Sequence, residues 1–185
     1  MIGGTRAITS SHRSAEHNLP NPLTSLIGRA RELEGIGDTL RRARLVSLTG
    51  PGGVGKTRPR ARARSPPAVA SPDGVGLLDL AVGAETPDVA AEVARTLGVH
   101  NPRGGTPSDA LGRYPYDRDV LLVLDNCEHV VEACAGFAAD VLGSCATVRI
   151  LATSRESLGV SGETVWRLEP LAPEDAYRLF VERAR

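Results

Sequence analysis

Apolar residues along this chain recur with two different periods, and the periods separate strands from helices. Leu45-Val-Ser-Leu-Thr49 is a short apolar run that leads straight into the glycine-rich stretch Gly50 to Gly55. Val75 to Leu80 is a second such run. Val120-Leu-Leu-Val-Leu124 is the strongest of all, continuous as a strand buried on both faces should be. Val148 to Ala152 and the weaker Thr164 to Leu168 complete the strand set. Between these runs the apolar positions fall at helical spacing. Leu33, Ile36 and Leu40 share one face of a helix expected from about Arg29 to Ala43. Val89, Val93 and Leu97 do the same over Pro87 to Leu97, a further helix covers Val130 to Leu142, and Glu174 to Ala184 reads as amphipathic.

Strands alternating with helices imply an α/β architecture, a parallel sheet covered on both faces. Met1 to Thr24 is polar and ends in Asn18-Leu-Pro-Asn-Pro22, so it reads as a flexible leader or linker, and residues 25–185 form one folded domain. A loop rich in Pro, Gly and Arg is expected from about Asn101 to Asp119, with a short helical turn near Ser108 to Leu111. There is no internal repeat.

The residues with evident chemistry lie at the ends of the expected strands. Gly50-Pro-Gly-Gly-Val-Gly-Lys-Thr57 fits the phosphate-loop pattern G-x-x-x-x-G-K-[ST] and follows a strand, the context the pattern needs. Glycines let the backbone curl until successive N–H groups converge on phosphate oxygens, while the next helix presents its positive end. The phosphate-binding set is therefore Gly50, Gly52, Gly53, Val54, Gly55, Lys56, Thr57 and Arg58. Lys56 supplies a compact cation for the β- and γ-phosphates of ATP, and Thr57 a hydroxyl for Mg2+. The competing reading, a glycine-rich turn with an exposed lysine, does not account for the strand before it.

Asp125 closes the run Leu121-Leu-Val-Leu-Asp125 as a Walker B aspartate would, placed to hold Mg2+ through water. Alone that pattern is weak, because many buried strands end in aspartate. The next residue is Asn126, where many hydrolytic P-loop enzymes carry an acidic group, and Glu128 is the nearest carboxylate. Fast hydrolysis is not expected. Ile150-Leu-Ala-Thr-Ser-Arg155 ends in a polar tip, and ligands of open parallel sheets bind beyond the carboxyl ends of the strands. A planar guanidinium there suits a phosphate oxygen; an arginine paired with Glu156 or another acid is the plainer alternative. Lys56, Asp125 and Arg155 are thus the candidate catalytic residues. His129 reads as a surface residue at a helix start, and Trp166 and Phe180 as core.

Composition narrows the class further. The apolar fraction is 41%, ordinary for a globular domain, and 22 basic residues balance 22 acidic ones. That balance supplies no field for nucleic acid or an anionic membrane, and no reading helix is visible, so direct DNA binding by this chain is not expected. The alternating Arg58, Arg60, Arg62 and Arg64 lack the interleaved aromatics of a single-strand binder. Lys56 is the only lysine, and it stands where a phosphate loop requires one. Cys127, Cys134 and Cys145 have neither zinc nor disulfide spacing and read as buried thiols. With no apolar run suited to a signal peptide or a membrane span, a cytoplasmic protein is expected.

Taken in order, Asn18-Leu-Pro, Leu23-Thr-Ser-Leu-Ile-Gly-Arg29, Leu45 to Arg58, Leu121-Leu-Val-Leu-Asp-Asn-Cys-Glu-His129 and Leu151-Ala-Thr-Ser-Arg-Glu156 resemble the NB-ARC-like ATPase domain of STAND NTPases. The likeness is to the bacterial AfsR- and LuxR-type transcriptional regulators, and Gly162-Glu163, Trp166, Pro170-Leu171 and Ala176 to Phe180 continue it. The resemblance implies a P-loop NTPase three-layer sandwich with a five-stranded parallel sheet. It implies that Ile27-Gly28-Arg29 lies against the adenine and that Arg155 reads the γ-phosphate. It also implies a switch held closed by ADP and opened by ATP, with self-association through this domain in full-length relatives.

Two departures stand out. The sequence stops at Arg185, before the helical, winged-helix and repeat modules of such switches, so a truncated product is expected. Arg58-Pro-Arg-Ala-Arg-Ala-Arg-Ser-Pro-Pro67 stands where the family has an aliphatic helix, and proline inside a helix costs about 3 kcal/mol relative to alanine. Compensating frameshifts or a divergent segment up to Pro72 would each explain it, and reading the gene in its other frames separates them. A P-loop phosphotransferase using the Asn101 to Asp119 loop, and a remnant that binds no nucleotide, are the competing functions.

Overall fold

The five apolar runs become the five strands of one sheet. The structure, a computed structural model, describes residues 27–56, 74–80, 88–96 and 119–184. Thr57, Arg58, the expected leader, the segment up to Pro72 and the Asn101 loop as far as residue 118 lie outside the described residues. In chain order the elements are α1 (Ala30–Arg42), β1 (Leu45–Thr49), β2 (Gly74–Asp79), α2 (Val89–Thr96), β3 (Val120–Asp125), a 3-10 turn (Cys127–His129), α3 (Val131–Ser144), β4 (Arg149–Ser154), β5 (Glu163–Arg167) and α4 (Pro173–Arg183).

The sheet runs β2-β3-β4-β1-β5 with every neighbouring pair parallel. Alternate side chains leave opposite faces of each strand, and two cores result. On one face Leu45, Leu78, Val120, Leu122, Leu124, Ile150 and Ala152 pack beneath α2 and α3. On the other, Val46, Leu48, Val75, Leu121, Val123 and Leu151 meet Ile36 and Leu40 of α1. This is the three-layer α/β sandwich of a P-loop NTPase with a five-stranded parallel sheet: the strand and helix periods imply the covered parallel sheet, and the family resemblance implies the rest.

Local chemistry explains where the helices begin and which side they bury. Asp88 Oδ1 accepts the Ala91 N–H at 3.0 Å and caps α2. In α3 Cys134, Phe137, Ala138 and Val141 return to the same side and are buried. Pro173 opens α4, where its missing N–H costs nothing. In α1, Glu32 in the first turn and Arg41 and Arg42 in the last complement the helix dipole.

Gly35 of α1 has a packing reason to be glycine. A Cβ there would lie 2.3 Å from Cη2 of Trp166, so the indole of β5 rests directly on the helix backbone. Gly35→Ala is expected to lower stability by about 1–3 kcal/mol, the usual cost of overpacking, despite the better helix propensity of alanine. An unchanged melting temperature would show that the ring shifts freely.

Trp166 thus joins the core side, as expected. Phe180 does not: it is 71% exposed and Tyr177 70%, with Leu179 and Val181 half-buried. The apolar spacing of α4 is real, but among the described residues nothing covers that side of the helix. The three cysteines are free and buried, in line with the reading from spacing. The hydrogen bond with Cys134, then burial and the Asp125 carboxylate, push the Cys127 thiol far above its ordinary range. No helix among the described residues is long and apolar enough to cross a membrane.

Candidate nucleotide-binding site

The strand order brings the ends of β1, β3 and β4 side by side, and each end carries one candidate residue. The loop leaving β1 turns through Gly53 at φ +78° and Gly55 at φ +96°, angles that side chains other than glycine adopt at a cost. Among the described residues a Cβ at either position would meet nothing within 4 Å. Lys56 folds back under the loop. Its Nζ donates to the Gly50 carbonyl at 2.6 Å and the Pro51 carbonyl at 3.0 Å, and the side chain is almost wholly buried. A cation bonded to its own loop keeps that loop curled.

Asp125 is fully buried at the end of β3 and accepts a short hydrogen bond from Thr153 Oγ1 of β4. The chain then turns at Asn126, which is left-handed at φ +62° and ψ +38°. Asparagine tolerates that conformation better than most residues. Its N–H donates to Thr153 Oγ1 at 3.1 Å, and its Nδ2 donates to Asp79 Oδ1 at 2.8 Å and Asp125 Oδ2 at 3.2 Å. Asn126 therefore ties the ends of β2, β3 and β4 together. The sequence had shown it only as a missing acid. Thr153 was read only as part of the polar tip of its strand, and Asp79 was missed altogether, although the parallel register that pairs Asp79 with Asp125 places both carboxylates at one rim.

Arg155, one residue beyond β4, reaches toward the glycine loop. Its Nη2 lies 3.6 Å from the point a Cβ on Gly52 would occupy. Its Nε is 3.5 Å from Oε1 of Glu128, not Glu156, so the acid partner anticipated as the plain alternative is present together with the loop contact. The segment returning from Arg155 to β5 is held by Glu163, which accepts the N–H groups of Leu158 and Gly159, each at 2.8 Å. His129 is exposed in the 3-10 turn.

Arg29 is the surprise of the site. Its guanidinium is buried and donates to the Val54 carbonyl of the glycine loop at 3.0 Å and to the Glu169 carbonyl beyond β5 at 2.7 Å, while Nη1 pairs with Glu32 at 2.8 Å. The side chain is a strut between the loop and the end of the sheet. Gly28, at φ +72°, stands against Asp175 of α4, where a Cβ would come within 2.5 Å of Oδ2. The structure gathers Gly28, Arg29, Gly50, Gly52, Gly53, Val54, Gly55, Lys56, Asp125 and Arg155 at the carboxyl end of the sheet.

A strand running into a glycine loop with a buried lysine, and a buried aspartate at the same end of a five-stranded parallel sheet, place the fold in the P-loop NTPase class. Comparison with known proteins agrees at that level. The crystal structure of Cdc6p from Pyrobaculum aerophilum is similar with TM-score 0.59 and 18% identity, over 90% of this chain and 51% of that one. The signal transduction ATPase with numerous domains (STAND) that carries a tetratricopeptide repeat sensor in Pyrococcus horikoshii gives 0.52 and 19%, over 89% and 26%. Both are likenesses of fold. In sequence, a Mycobacterium tuberculosis (H37Rv) protein provisionally named as an HTH-type transcriptional regulator is 43% identical over 146 residues. Those residues are 78% of this chain but 16% of the regulator, so the chain spans a small part of its length. No family model matches the sequence.

Proposed function

We propose that this chain binds ATP and ADP with Mg2+ as the nucleotide-binding switch domain of a signalling or transcriptional regulator, of the NB-ARC-like STAND type, hydrolysing ATP slowly at most. The observation that carries the reading is the strand order, which brings the glycine loop with Lys56, the strand-end Asp125 and Arg155 to one end of the sheet, with Arg155 beside Gly52 of the loop. Lys56 and the loop N–H groups bind the phosphates. Asp125, with Thr57, would hold Mg2+, which would supply positive charge to offset the negative charge of the phosphates. Arg155 contacts the γ-phosphate that distinguishes ATP from ADP. Asn126 supports slow hydrolysis, because the position that could orient water is occupied by an amide locked to Asp79 and Asp125. A switch moving from 1:99 to 99:1 needs about 5.5 kcal/mol of differential binding, a demand that falls on the γ-phosphate contacts.

Calorimetry with ATP and ADP, with and without Mg2+, tests the reading; absence of binding by either nucleotide refutes it. Arg155→Ala is expected to weaken ATP binding about 10-fold while changing ADP binding little, since a charge-assisted contact to the terminal phosphate disappears. An equal loss for both nucleotides would move Arg155 away from the γ-phosphate.

A further inference from the structure

We propose that Glu128 is an internal stand-in for the terminal phosphate of ATP, holding Arg155 in the absence of triphosphate and releasing it when one arrives. The inference rests on the nucleotide-binding reading above and adds a residue to it. Arg155 is 67% exposed, and its ion-pair partner is Glu128, with 3.5 Å between Nε and Oε1. That separation is at the outer limit of a hydrogen bond, so the pair is loose. The Glu128 side chain is mostly shielded, and its second oxygen, Oε2, is out of solvent with no hydrogen-bond partner among the described residues. A carboxylate in that condition is under-satisfied, and the guanidinium beside it is not locked.

The geometry makes Glu128 and an incoming phosphate rivals. The same guanidinium that faces Glu128 stands beside Gly52 of the phosphate loop, with Nη2 3.6 Å from the position of an added Cβ. A phosphoryl group seated on that loop offers oxygens that can engage the guanidinium as a fork, and such paired contacts outlast a single long ion pair. Glu128 is itself fixed, because the 3-10 turn that carries it is set by left-handed Asn126 and by the Val130 N–H bonded to the Cys127 carbonyl at 2.9 Å. The arginine is therefore the element that moves. Competition for the guanidinium weakens ATP relative to ADP.

Glu128→Gln keeps the shape and removes the charge. It is expected to raise the ratio of ATP to ADP affinity by about two- to fivefold, the range that exposed ion pairs span. The increase should vanish when the same substitution is made in Arg155→Ala, because the arginine being competed for is gone. Glu128→Asp, which withdraws the carboxylate by one methylene, should shift the ratio in the same direction by less and serves if the glutamine variant does not fold. An unchanged or lowered ratio overturns the proposal, as does an equal increase with and without Arg155. If the unmodified chain binds neither nucleotide, the nucleotide-binding reading falls and takes this one with it. If both nucleotides bind and the ratio is unmoved, only the role of Glu128 is lost.

Discussion

Lys56→Ala is expected to weaken binding of both ATP and ADP at least ~10-fold, the loss of one charge-assisted contact of about 1.5–3 kcal/mol. Two separate effects push in that direction. The ammonium that should meet the phosphates is removed, and so is the tie that curls the loop by bonding the carbonyls of Gly50 and Pro51. Those carbonyls lie at the start of the loop and can turn to water once the lysine is gone, so the domain should still fold. Lys56→Met separates the effects: it fills the space without the charge and should lose the phosphate contact while disturbing the packing less. Titration calorimetry beside a melting curve reads both quantities. Equal affinity in the unmodified chain and either variant would remove Lys56 from the site.

Arg29→Ala is expected to be the most damaging single change to stability near the site, at about 2–4 kcal/mol. The estimate follows from two main-chain carbonyls, Val54 and Glu169, each losing a charged donor, with about 1–3 kcal/mol for a buried acceptor left unpaired. The partly exposed Glu169 end is open to water, which keeps the total below the sum of the extremes. For a domain of this size the loss corresponds to a fall in melting temperature of about 5–15 °C. Arg29→Lys should recover only part of it, because one ammonium on a flexible stem does not reproduce a planar fork that reaches two carbonyls and Glu32 together. A melting temperature unmoved by Arg29→Ala would show that the strut bears no weight.

The sheet was readable in advance because strands buried on both faces must be apolar throughout, and Leu45 to Thr49 and Val120 to Leu124 are too short and too continuous to be anything else. That Lys56, Asp125 and Arg155 lie at one end of the sheet was readable because each closes or follows such a run, and parallel strands bring their carboxyl ends to one rim. What Arg29 does was not readable. Its acceptors are main-chain carbonyls 25 and 140 residues away, and a carbonyl leaves no mark in a sequence. The 3-10 turn at Cys127–His129 was missed for a related reason: it follows from the left-handed backbone of Asn126, which hydrophobic spacing cannot register. Phe180 was misplaced because helical periodicity identifies an apolar side without saying whether anything lies against it.

The position of β1 between β4 and β5 carries a consequence for how the domain assembles. During synthesis the strand that ends in the phosphate loop emerges early, yet both of its hydrogen-bonding neighbours lie roughly a hundred residues further along, with Leu45 opposite Ile150 and Glu163. Pairing of β2 with β3, and of β3 with β4, can proceed without it, whereas β1 must wait for β4 before it has a neighbour, and β5 can join only on β1. The strand that leads into the glycine loop is therefore a late arrival on the folding route, and the loop takes shape only once β4 has given β1 an edge to pair with.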